Sequence, residues 1–326
     1  MPKVTIVIPN YNHARFLDQR IQSVLNQTYT DFELLYLDDA STDNSGEVFK
    51  KYAADPRVRF IINSTNSGSP FPQWNKGVRE AKGEYVWIAE ADDFADDTLL
   101  EKLVALLDQN ANVGIAYCPS WSVDASGEQH GCSKDWLDGL ELGRWKTDFV
   151  NEGRDECRRF MVVANTIPNA SAVVFRREVY LAAGGADETM RYCGDWLLWG
   201  KMLLRADIAY TAHPMNYFRF HAGSVGGKIG STGLNAEESY QVVGYLLSQI
   251  VASPKTVETA RDYLADRWVP SLVSKQGAIP RERNARIYQM ARQIDPYLKP
   301  RIVRKIAARA AEKLARLIGA RTAARA

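Results

Sequence analysis

Hydrophobic and polar residues follow two alternating patterns along the first third of the chain. Short apolar runs rich in β-branched residues predict buried strands, and the longer segments between them carry apolar residues on one helical face. The predicted strands are 3–9, 32–39, 58–63 and 84–90, and the predicted helices are 14–27, 44–55 and 73–82. Strands that alternate with helices in this way indicate a mostly parallel sheet with right-handed crossovers and helices on both faces.

The pattern becomes less regular in the second third of the chain. It predicts a helix over 97–109, a strand over 113–118, a long loop above a site over 120–150, a strand over 170–177, a helix over 194–206, and two strands or one bent strand over 208–224. A structureless loop as long as 120–150 is uncommon unless it serves a function. The residues after 224 are predicted to form helices.

Composition and charge narrow the class of protein. The chain has 326 residues, 46% of them apolar, and a net charge of +2, which argues against a nucleic-acid-binding protein. No apolar run approaches the roughly 20 residues that span a bilayer, so any membrane contact is expected to be peripheral. The four cysteines have no paired spacing and the N-terminus has no signal-peptide pattern, so we expect a cytoplasmic location.

Polar side chains collect where the first four predicted strands end. The residues at these ends are Pro9, Asn10, Tyr11 and Asn12; Asp38 and Asp39; Asn63, Asn66, Ser67 and Gly68; and Glu90, Asp92 and Asp93. Parallel α/β sheets bind ligands at the carboxyl ends of their strands. We therefore expect these four loops to face one crevice.

The crevice lacks the glycine-rich turn through which dinucleotide-binding folds approach a pyrophosphate, because the first turn reads "PNYNHAR" (9–15). The phosphate groups of a nucleotide ligand would then need another source of positive charge. We expect this to be a Mg²⁺ or Mn²⁺ ion held by Asp92 and Asp93. The alternative for these two acids is a capped turn before the helix at 97–109, because Asp favours helix N-caps.

Four segments resemble one known family, in the family's order and spacing. They are "VIPNYNHARFL" (7–17), "LYLDDASTDNS" (35–45), "NSGSPFPQWNKGVREAKGEYVWIAEADD" (66–93) and "GGADETMRYCGDWLLWGKML" (184–203). Over about residues 3–224 the chain resembles glycosyltransferase family 2, whose members are inverting, nucleotide-sugar-dependent enzymes with the GT-A fold. The resemblance implies a Rossmann-like, mostly parallel nucleotide-binding sheet flanked by helices, followed by an α-helical C-terminal extension.

The same resemblance implies a division of the chain. Residues 1–225 would form the GT-A domain, with a nucleotide-sugar-binding half at 1–118 and an acceptor-binding half at 119–225; residues 226–326 would form the helical extension. Its last helix, about 299–321, is basic and amphipathic, which would suit peripheral contact with an anionic membrane. The alternative is a helix docked on its own domain with a solvated face.

Individual roles also follow from the resemblance. Tyr11 would lie against the nucleotide base, and Asp39 would accept a hydrogen bond from it, most naturally from a uracil N3–H. Asp92 would lie near the ribose and the metal, Asp93 would be the principal metal ligand, and His221 would reach the diphosphate or the metal. An ordinary histidine without a functional role is the alternative for His221.

The resemblance makes Asp195 the general base, with capping of its helix as the alternative. Further contacts to the nucleotide sugar are expected from Pro9, Asn12, Asn66, Gly68 and Asn75, and contacts to the acceptor from Asn169, Ser171 and Trp196. For Trp196 we also consider a place in the hydrophobic core, which is the more common environment of a helical tryptophan.

Two residues depart from the family pattern. Glu90 stands where the first acid of the usual Asp-x-Asp-Asp motif is expected, and Trp74 stands where the usual Arg-Asn pair has its arginine. Lys76, Arg79 or Arg219 would then have to supply the missing cationic contact.

These observations predict a metal-dependent, inverting transfer of a sugar from a nucleotide diphosphate sugar, a UDP-sugar by preference, to a hydroxyl of a glycan or lipid-linked saccharide in bacterial surface polysaccharide synthesis. Two alternatives stay open. A nucleotidyltransferase shares the sheet and the metal carboxylates, and a non-catalytic carbohydrate-binding or scaffold protein shares the fold.

Overall fold

A computed structural model describes residues 1–221, 232–273 and 279–323 of the chain, with side chains as far as Glu312. Its contacts divide into two compact units. The N-terminal unit comprises Met1–Met161 and Asn165–Ser224, and the C-terminal unit comprises Val162–Ala164 and Val225–Ala326.

The described strands belong to two sheets. In chain order they are β1 (Val4–Asn10), β2 (Phe32–Asp38), β3 (Val58–Ile62), β4 (Tyr85–Ile88), β5 (Phe94–Ala95), β6 (Val113–Tyr117), β7 (Ser120–Val123), β8 (Gln129–Cys132), β9 (Phe149–Asn151), β10 (Val173–Arg176), β11 (Asp207–Tyr210) and β12 (Asn216–Arg219). The main sheet has the order β3-β2-β1-β4-β10-β6-β11-β9, and the small sheet has the order β5-β12-β7-β8.

The described helices cover the sheets and form the C-terminal unit. They are α1 (Ala14–Leu25), α2 (Ser45–Lys50), α3 (Pro70–Glu80), α4 (Leu99–Gln109), α5 (Ser133–Leu137), α6 (Gly153–Glu156), α7 (Arg177–Ala182), α8 (Gly194–Leu203), α9 (Leu234–Gln249), α10 (Pro254–Val273), α11 (Arg281–Ile294) and α12 (Leu298–Ala323). A π-helical turn, Cys157–Met161, follows α6, and a 3₁₀ turn, Ala170–Ala172, precedes β10.

Strands β1 to β4 are parallel to one another, as their alternation with helices predicted. Every residue of β1 and β2 is buried, which matches the continuous apolar runs of strands that are covered on both faces. Helix α3 lies so close to this sheet that a Cβ at Gly77 would come within 2.5 Å of Val7. The main sheet is mixed but mostly parallel, because β10 and β9 run antiparallel to their neighbours.

The expectation of one long loop over 120–150 is wrong. This stretch contains β7, β8, α5 and β9, and it supplies two of the four strands of the small sheet. Strand β7 pairs in parallel with β12, almost a hundred residues away along the chain. The strands are short, and β7 and β9 also pair with strands that are distant along the chain, so the local sequence pattern gave no sign of them.

The segment 208–224 forms two strands within its described part, not one bent strand. Strand β11 joins the main sheet beside β6, whereas β12 joins the small sheet between β5 and β7. The chain therefore passes from one sheet to the other between these strands, and Arg219, the last residue of β12, bonds with Asp92 and Asp93 on the turn that follows β4.

In the C-terminal unit, the described basic side chains of α12 bind acids of the same unit. The Arg301 guanidinium bonds with Asp295, Asp262 and Glu258, and Lys305 binds Asp266. These contacts favour the docked alternative for the first half of α12. Val303 is 66% exposed, and the side chains beyond Glu312, which complete the predicted amphipathic face, lie outside the described part. Within the described ranges, no helix combines the length and apolar content needed to cross a membrane.

The ion pairs of α12 give a first prediction. Arg301 is 3% exposed and binds three carboxylates, of which Asp295 is also buried. Arg301→Ala should therefore destabilise the C-terminal unit by about 3 kcal/mol, because it leaves the buried charge of Asp295 without its partner. Arg304 is a matched control: it is 63% exposed and binds Asp262 alone among the described carboxylates, so Arg304→Ala should cost less than about 1 kcal/mol. Hydrogen-exchange mass spectrometry of α10 and α12 measures the loss of stability in each variant. Equal protection in the two variants would contradict the greater role that we assign to the ion pairs of Arg301.

Candidate active site

The turn after β1 is held by polar contacts to the turn after β2. Asn10 donates from Nδ2 to Asp38 Oδ2 at 2.9 Å, and the Asn12 carboxamide oxygen accepts from the backbone N–H of Thr42 at 2.7 Å. Asn12 adopts a left-handed conformation with φ of 60°, which Asn tolerates better than most residues. Asn12 therefore fixes the shape of the crevice edge, and Pro9 lies inside the β1 to β2 ladder.

Tyr11 and Asp39 occupy different environments at this edge. The Tyr11 side chain is 44% exposed, so its ring is accessible to a ligand. The Asp39 carboxylate is buried and already accepts hydrogen bonds from Asn63, Asn66 and Gln73. A base that binds Asp39 would have to displace one of these donors, and the role of Asp39 in base recognition stays a prediction.

The segment 63–73 is organised around that carboxylate. Ser67 donates to Asp39 Oδ2 from its backbone N–H at 2.9 Å and from its hydroxyl at 2.7 Å. Gly68 follows with φ of 82°, and its N–H donates to Asn66 Oδ1. The exposed Asn66 and Gly68 thus belong to a turn that hydrogen bonds to the buried Asp39 carboxylate hold in place.

A polar cleft of about 360 Å³ lies beside this segment. Its lining residues are Asn63, Ser64, Thr65, Ser67, Pro72, Gln73, Lys76, Arg79 and Glu188. Lys76 and Arg79 are two of the cations that the sequence offered in place of the missing arginine. Lys76 Nζ donates to Asn63 Oδ1 at 2.5 Å, so its position is fixed by the same segment.

Asn75 has a structural role. Its Nδ2 donates to the Ala186 carbonyl at 2.9 Å and to Glu188 at 2.8 Å, and its oxygen accepts from the Tyr180 hydroxyl and the Ala186 N–H. Both donors and both acceptor positions are thereby used. Asn75 clamps the turn at 184–188 onto α3 and has no position left for a nucleotide.

The two departures from the family pattern contact each other. The Trp74 indole N–H donates to Glu90 Oε1 at 2.7 Å, and the ring stacks against Trp199. Burial, followed by the charge of Asp92, raises the pKa of Glu90 to about 8. A buried, largely protonated carboxyl with an indole donor thus takes the place of an ionised acid.

Asp93 points into the protein interior. It is 1% exposed, and its carboxylate accepts from the Arg219 backbone N–H at 2.9 Å and from Asn169 Nδ2 at 3.3 Å. Burial and the charge of Asp92 raise the pKa of Asp93 to about 6, against the opposing charge of Arg20. The described partners of Asp93 thus lie inside the protein, and its role as the principal metal ligand stays a prediction.

Two buried arginines, Arg20 and Arg219, lie against the turn that carries Glu90, Asp92 and Asp93, which we call the acidic turn. Arg20 was not among the residues that the sequence motifs singled out. Arg20 Nε donates to the Glu90 carbonyl at 2.8 Å, and its guanidinium lies 4.0 Å from Asp93 Oδ2. Burial lowers the pKa of Arg20 to about 10. The available signal was position: Arg20 lies on the buried face of α1 together with Phe16 and Val24.

Arg219 is the second buried arginine. It donates from Nε to the Asp92 carbonyl at 2.8 Å, and from its other guanidinium nitrogens to Gln19 and the Asp124 carbonyl. Burial lowers its pKa as well. These contacts join β12, α1 and the turn after β7 around the acidic turn.

Asp92 faces outward and meets two histidines. Its Oδ2 lies 3.0 Å from His221 Nε2, and one ligand atom from each of His13, Asp92 and His221 lies within 4.8 Å of the others. Burial acts to raise the pKa of Asp92, but the hydrogen bond to His221 and the charges of the two histidines hold it below its ordinary value. We call these three residues the His–Asp–His cluster. A carboxylate and two imidazoles are common ligands of divalent transition metals.

Asp195 lies in the first turn of α8. Its Oδ2 accepts a hydrogen bond from Asn165 Nδ2 at 2.9 Å, and the N-cap position is occupied by Cys193. The helix begins against Phe71, so closely that a Cβ at Gly194 would come within 2.5 Å of the ring. The alternative in which Asp195 caps the helix is therefore not what the structure contains.

The residues expected at the acceptor site are buried. Trp196 is 1% exposed and donates its indole N–H to the Met161 carbonyl at 2.8 Å, so it belongs to the core and not to an acceptor surface. Asn169 caps the 3₁₀ turn before β10, and the Ser171 hydroxyl accepts from the Glu90 N–H. Asn169 and Ser171 thus bond with the turn that carries Glu90 and Asp93. The sequence gave no indication that these two polar residues are buried.

Residues 5–158 match the sequence model of the family described as Glycosyl transferase family 2. This part of the chain belongs to that family. The glycosyltransferase GlyG of Streptococcus pneumoniae is 37% identical over 31% of this chain and 33% of its own length. The poly(ribitol-phosphate) beta-N-acetylglucosaminyltransferase TarS of Staphylococcus aureus is 29% identical over 34% of this chain and 20% of its own length. The chain thus matches a third or less of either curated relative.

Solved structures agree on the fold of this family 2 member. TarS residues 1–349 in complex with UDP-GlcNAc superpose with a TM-score of 0.63 and 17% identity, over 92% of this chain and 88% of that one. The mannosyltransferase PcManGT of Pyrobaculum calidifontis, in complex with GDP-Man and Mn²⁺, superposes with a TM-score of 0.58 and 18% identity, over 93% and 85%. The predicted GT-A fold is confirmed.

The raised pKa of Glu90 gives a prediction for the metal-free protein. The folded chain keeps the Glu90 proton up to about pH 8, whereas the unfolded chain loses it near 4.5. Between these values the unfolded state binds fewer protons, so this group makes the free energy of unfolding fall as pH rises, by about 1.4 kcal/mol per pH unit. Glu90→Gln removes the titration and keeps an acceptor for Trp74.

Urea denaturation in EDTA between pH 5 and 8 measures this slope. We expect the slope to be smaller in Glu90→Gln than in the wild type by about 1.4 kcal/mol per pH unit. Glu80→Gln, on the exposed surface of α3, is the control and should keep the wild-type slope. Parallel curves for the wild type and Glu90→Gln would show that Glu90 is ionised in the fold.

Proposed function

We propose that this family 2 protein is an inverting glycosyltransferase that moves a sugar from a nucleotide diphosphate sugar to a hydroxyl of a glycan or lipid-linked saccharide. The observation that carries the proposal is that the N-terminal unit contains two features of a glycosyl-transfer site. One is the His–Asp–His cluster at the carboxyl edge of the sheet, and the other is Asp195, a partly accessible carboxylate on α8.

The chemistry needs both features. In an inverting transfer a carboxylate takes the proton of the attacking hydroxyl while the diphosphate leaves from the opposite face of the anomeric carbon. Asp195 is our candidate for that base, and Asn165 holds one of its oxygens by a hydrogen bond. A divalent cation at the His–Asp–His cluster would offset the negative charge that develops on the leaving diphosphate.

A UDP-sugar is the donor that we propose. The solved TarS complex contains UDP-GlcNAc, and Tyr11 is accessible for stacking on a base. PcManGT was solved with GDP-Man, so the fold does not decide the base. Asp39 could accept from a uracil N3–H only after one donor of the 63–73 segment has moved away.

The acceptor and the location are proposals of the same kind. We propose an acceptor of bacterial surface polysaccharide synthesis, because the name of TarS describes transfer to poly(ribitol-phosphate). We propose a cytoplasmic enzyme, since its four cysteines are buried and form no disulfide with one another. The assignment of 1–118 to the donor and 119–225 to the acceptor belongs to the same proposal.

Calorimetric titration with UDP, GDP, dTDP and CDP, each with and without Mn²⁺, tests the proposal. We expect UDP to bind most tightly and Mn²⁺ to strengthen its binding, because the cation would bridge the diphosphate to the cluster. Asp92→Asn should abolish the effect of Mn²⁺, whereas Asp124→Asn, an acid on the exposed turn after β7, should keep it. If no nucleotide binds under any condition, the chain would be the non-catalytic carbohydrate-binding or scaffold protein.

Substitution of the proposed base gives a separate prediction. Asp195→Asn should lower kcat by about 10²- to 10⁴-fold and leave UDP affinity unchanged, because it removes proton transfer and keeps the side-chain shape. Asp187→Asn is the control, since Asp187 accepts hydrogen bonds from Thr189 within its own turn. The rate is measured as UDP release with a panel of UDP-sugars and saccharide acceptors. An Asp195→Asn variant with wild-type turnover would remove Asp195 from the mechanism.

A further inference from the structure

We infer that His13 is a third protein ligand of the metal, so that the centre has two imidazoles and one carboxylate and prefers Mn²⁺, Co²⁺ or Zn²⁺ to Mg²⁺. This inference rests on the proposed function in one respect, because that function supplies the diphosphate that the metal would bind. Asp92 and His221 were expected from the family motifs, but His13 was not, and it enters because the fold brings it to the other two.

The three donors come from separate parts of the chain. His13 is the N-cap residue of α1, Asp92 lies on the turn after β4, and His221 follows β12. The His221 Nε2 to Asp92 Oδ2 distance is 3.0 Å. A metal about 2.1 Å from each ligand places neighbouring ligands about 3.0–3.4 Å apart, so this pair already has the required separation.

His13 needs only a small side-chain movement to complete the set, because its donor lies within 4.8 Å of the other two. The backbone beneath it is fixed. The His13 carbonyl accepts from the N–H groups of Phe16 and Leu17 at 2.9 and 3.0 Å and so begins α1. Its ring is partly accessible, which leaves room for rotation.

The other two ligands are supported as well. The Phe16 ring lies 5.0 Å from the His221 ring, and the Asp92 carbonyl accepts from Arg219 Nε. Supports of this kind keep the ligands oriented before a metal arrives. Hydrogen bonds thus hold the backbone at His13 and Asp92, and the Phe16 ring packs against the ring of His221.

The donor types decide which cation fits. Mg²⁺ prefers oxygen ligands in near-octahedral geometry, whereas divalent ions of the first transition row also accept imidazole nitrogen, with an affinity that rises from Mn²⁺ to Co²⁺ and Zn²⁺. Of the three neighbouring acids, only Asp92 faces the cluster, because Asp93 accepts from Arg219 and Asn169 in the interior and Glu90 binds Trp74. One carboxylate and two neutral imidazoles leave a divalent ion with one net positive charge for the diphosphate.

A purely structural role for His13 is the rival explanation. His13, Phe16 and His221 pack ring against ring, with a centroid distance of 5.7 Å between the histidines in an edge-to-face arrangement. An aromatic cluster of this kind would depend on ring shape alone. A metal centre depends on a nitrogen at position 13, so the two explanations separate when the ring is kept and the nitrogen is removed.

The test uses the full chain, freed of metal with EDTA and dialysed. Mn²⁺, Co²⁺ and Mg²⁺ are titrated by calorimetry, alone and with saturating UDP, and the visible absorption of bound Co²⁺ reports its nitrogen ligands. We expect the wild type to bind Mn²⁺ and Co²⁺ at least tenfold more tightly than Mg²⁺. His13→Phe keeps a ring and should weaken Mn²⁺ and Co²⁺ binding about 10- to 100-fold and change the Co²⁺ spectrum.

Two further variants sharpen the result. His13→Asp supplies an oxygen ligand and should restore binding with the preference moved towards Mg²⁺. His130→Gln is the control, because His130 is 56% exposed, lies 3.7 Å from Asp124 and is outside the cluster. It should bind every ion as the wild type does.

Unchanged Mn²⁺ affinity and an unchanged Co²⁺ spectrum in His13→Phe would overturn the inference, while loss of binding in Asp92→Asn would still support a metal-dependent transferase. Equal affinity of the wild type for Mg²⁺ and Mn²⁺ would overturn the stated preference. Failure of the proposed function has a different signature, namely absence of nucleotide binding in the presence of every ion.

Discussion

The burial of two arginines against the turn 90–93 is the constraint on which the candidate site depends. Three carboxylates on one turn repel each other, and burial makes the repulsion stronger. Arg20 and Arg219 supply positive charge from opposite sides, and both are almost fully buried. Glu90 already keeps its proton in the fold, so Arg20 and Arg219 offset the charges of Asp92 and Asp93 above all.

The two arginines also explain why the small sheet is attached where it is. Arg219 ends β12, and its guanidinium reaches Gln19 on α1 and the Asp124 carbonyl after β7. His221 lies two residues further along the chain, so the contact that neutralises the acidic turn also delivers an imidazole to Asp92. The segment 219–221 thus supplies both the arginine beside the acids and one imidazole of the His–Asp–His cluster.

The sequence was sufficient for features that depend on local pattern. The order of strands and helices up to α4 follows from periodicity, and the polar ends of β1 to β4 follow from the parallel arrangement. Features that depend on distant contacts were not accessible. Strands β7 and β8 are defined by their neighbours in the small sheet, and Asn75 is occupied by a turn more than a hundred residues away. The orientation of Asp93 is of the same kind, because periodicity gives a face and not a partner, whereas a place in the core was already an alternative for Trp196.

The contact between Trp74 and Glu90 has a consequence for how this chain can diverge from other family members. An arginine at position 74 would have to place its charge where the indole now stacks on Trp199, and an aspartate at position 90 would be one methylene too short to meet the indole N–H at its present distance of 2.7 Å. Aspartate alone would leave the indole N–H without its acceptor, and arginine alone would lose the stacking on Trp199. The two positions are therefore expected to be coupled, so that the effect of replacing both differs from the sum of the two single replacements.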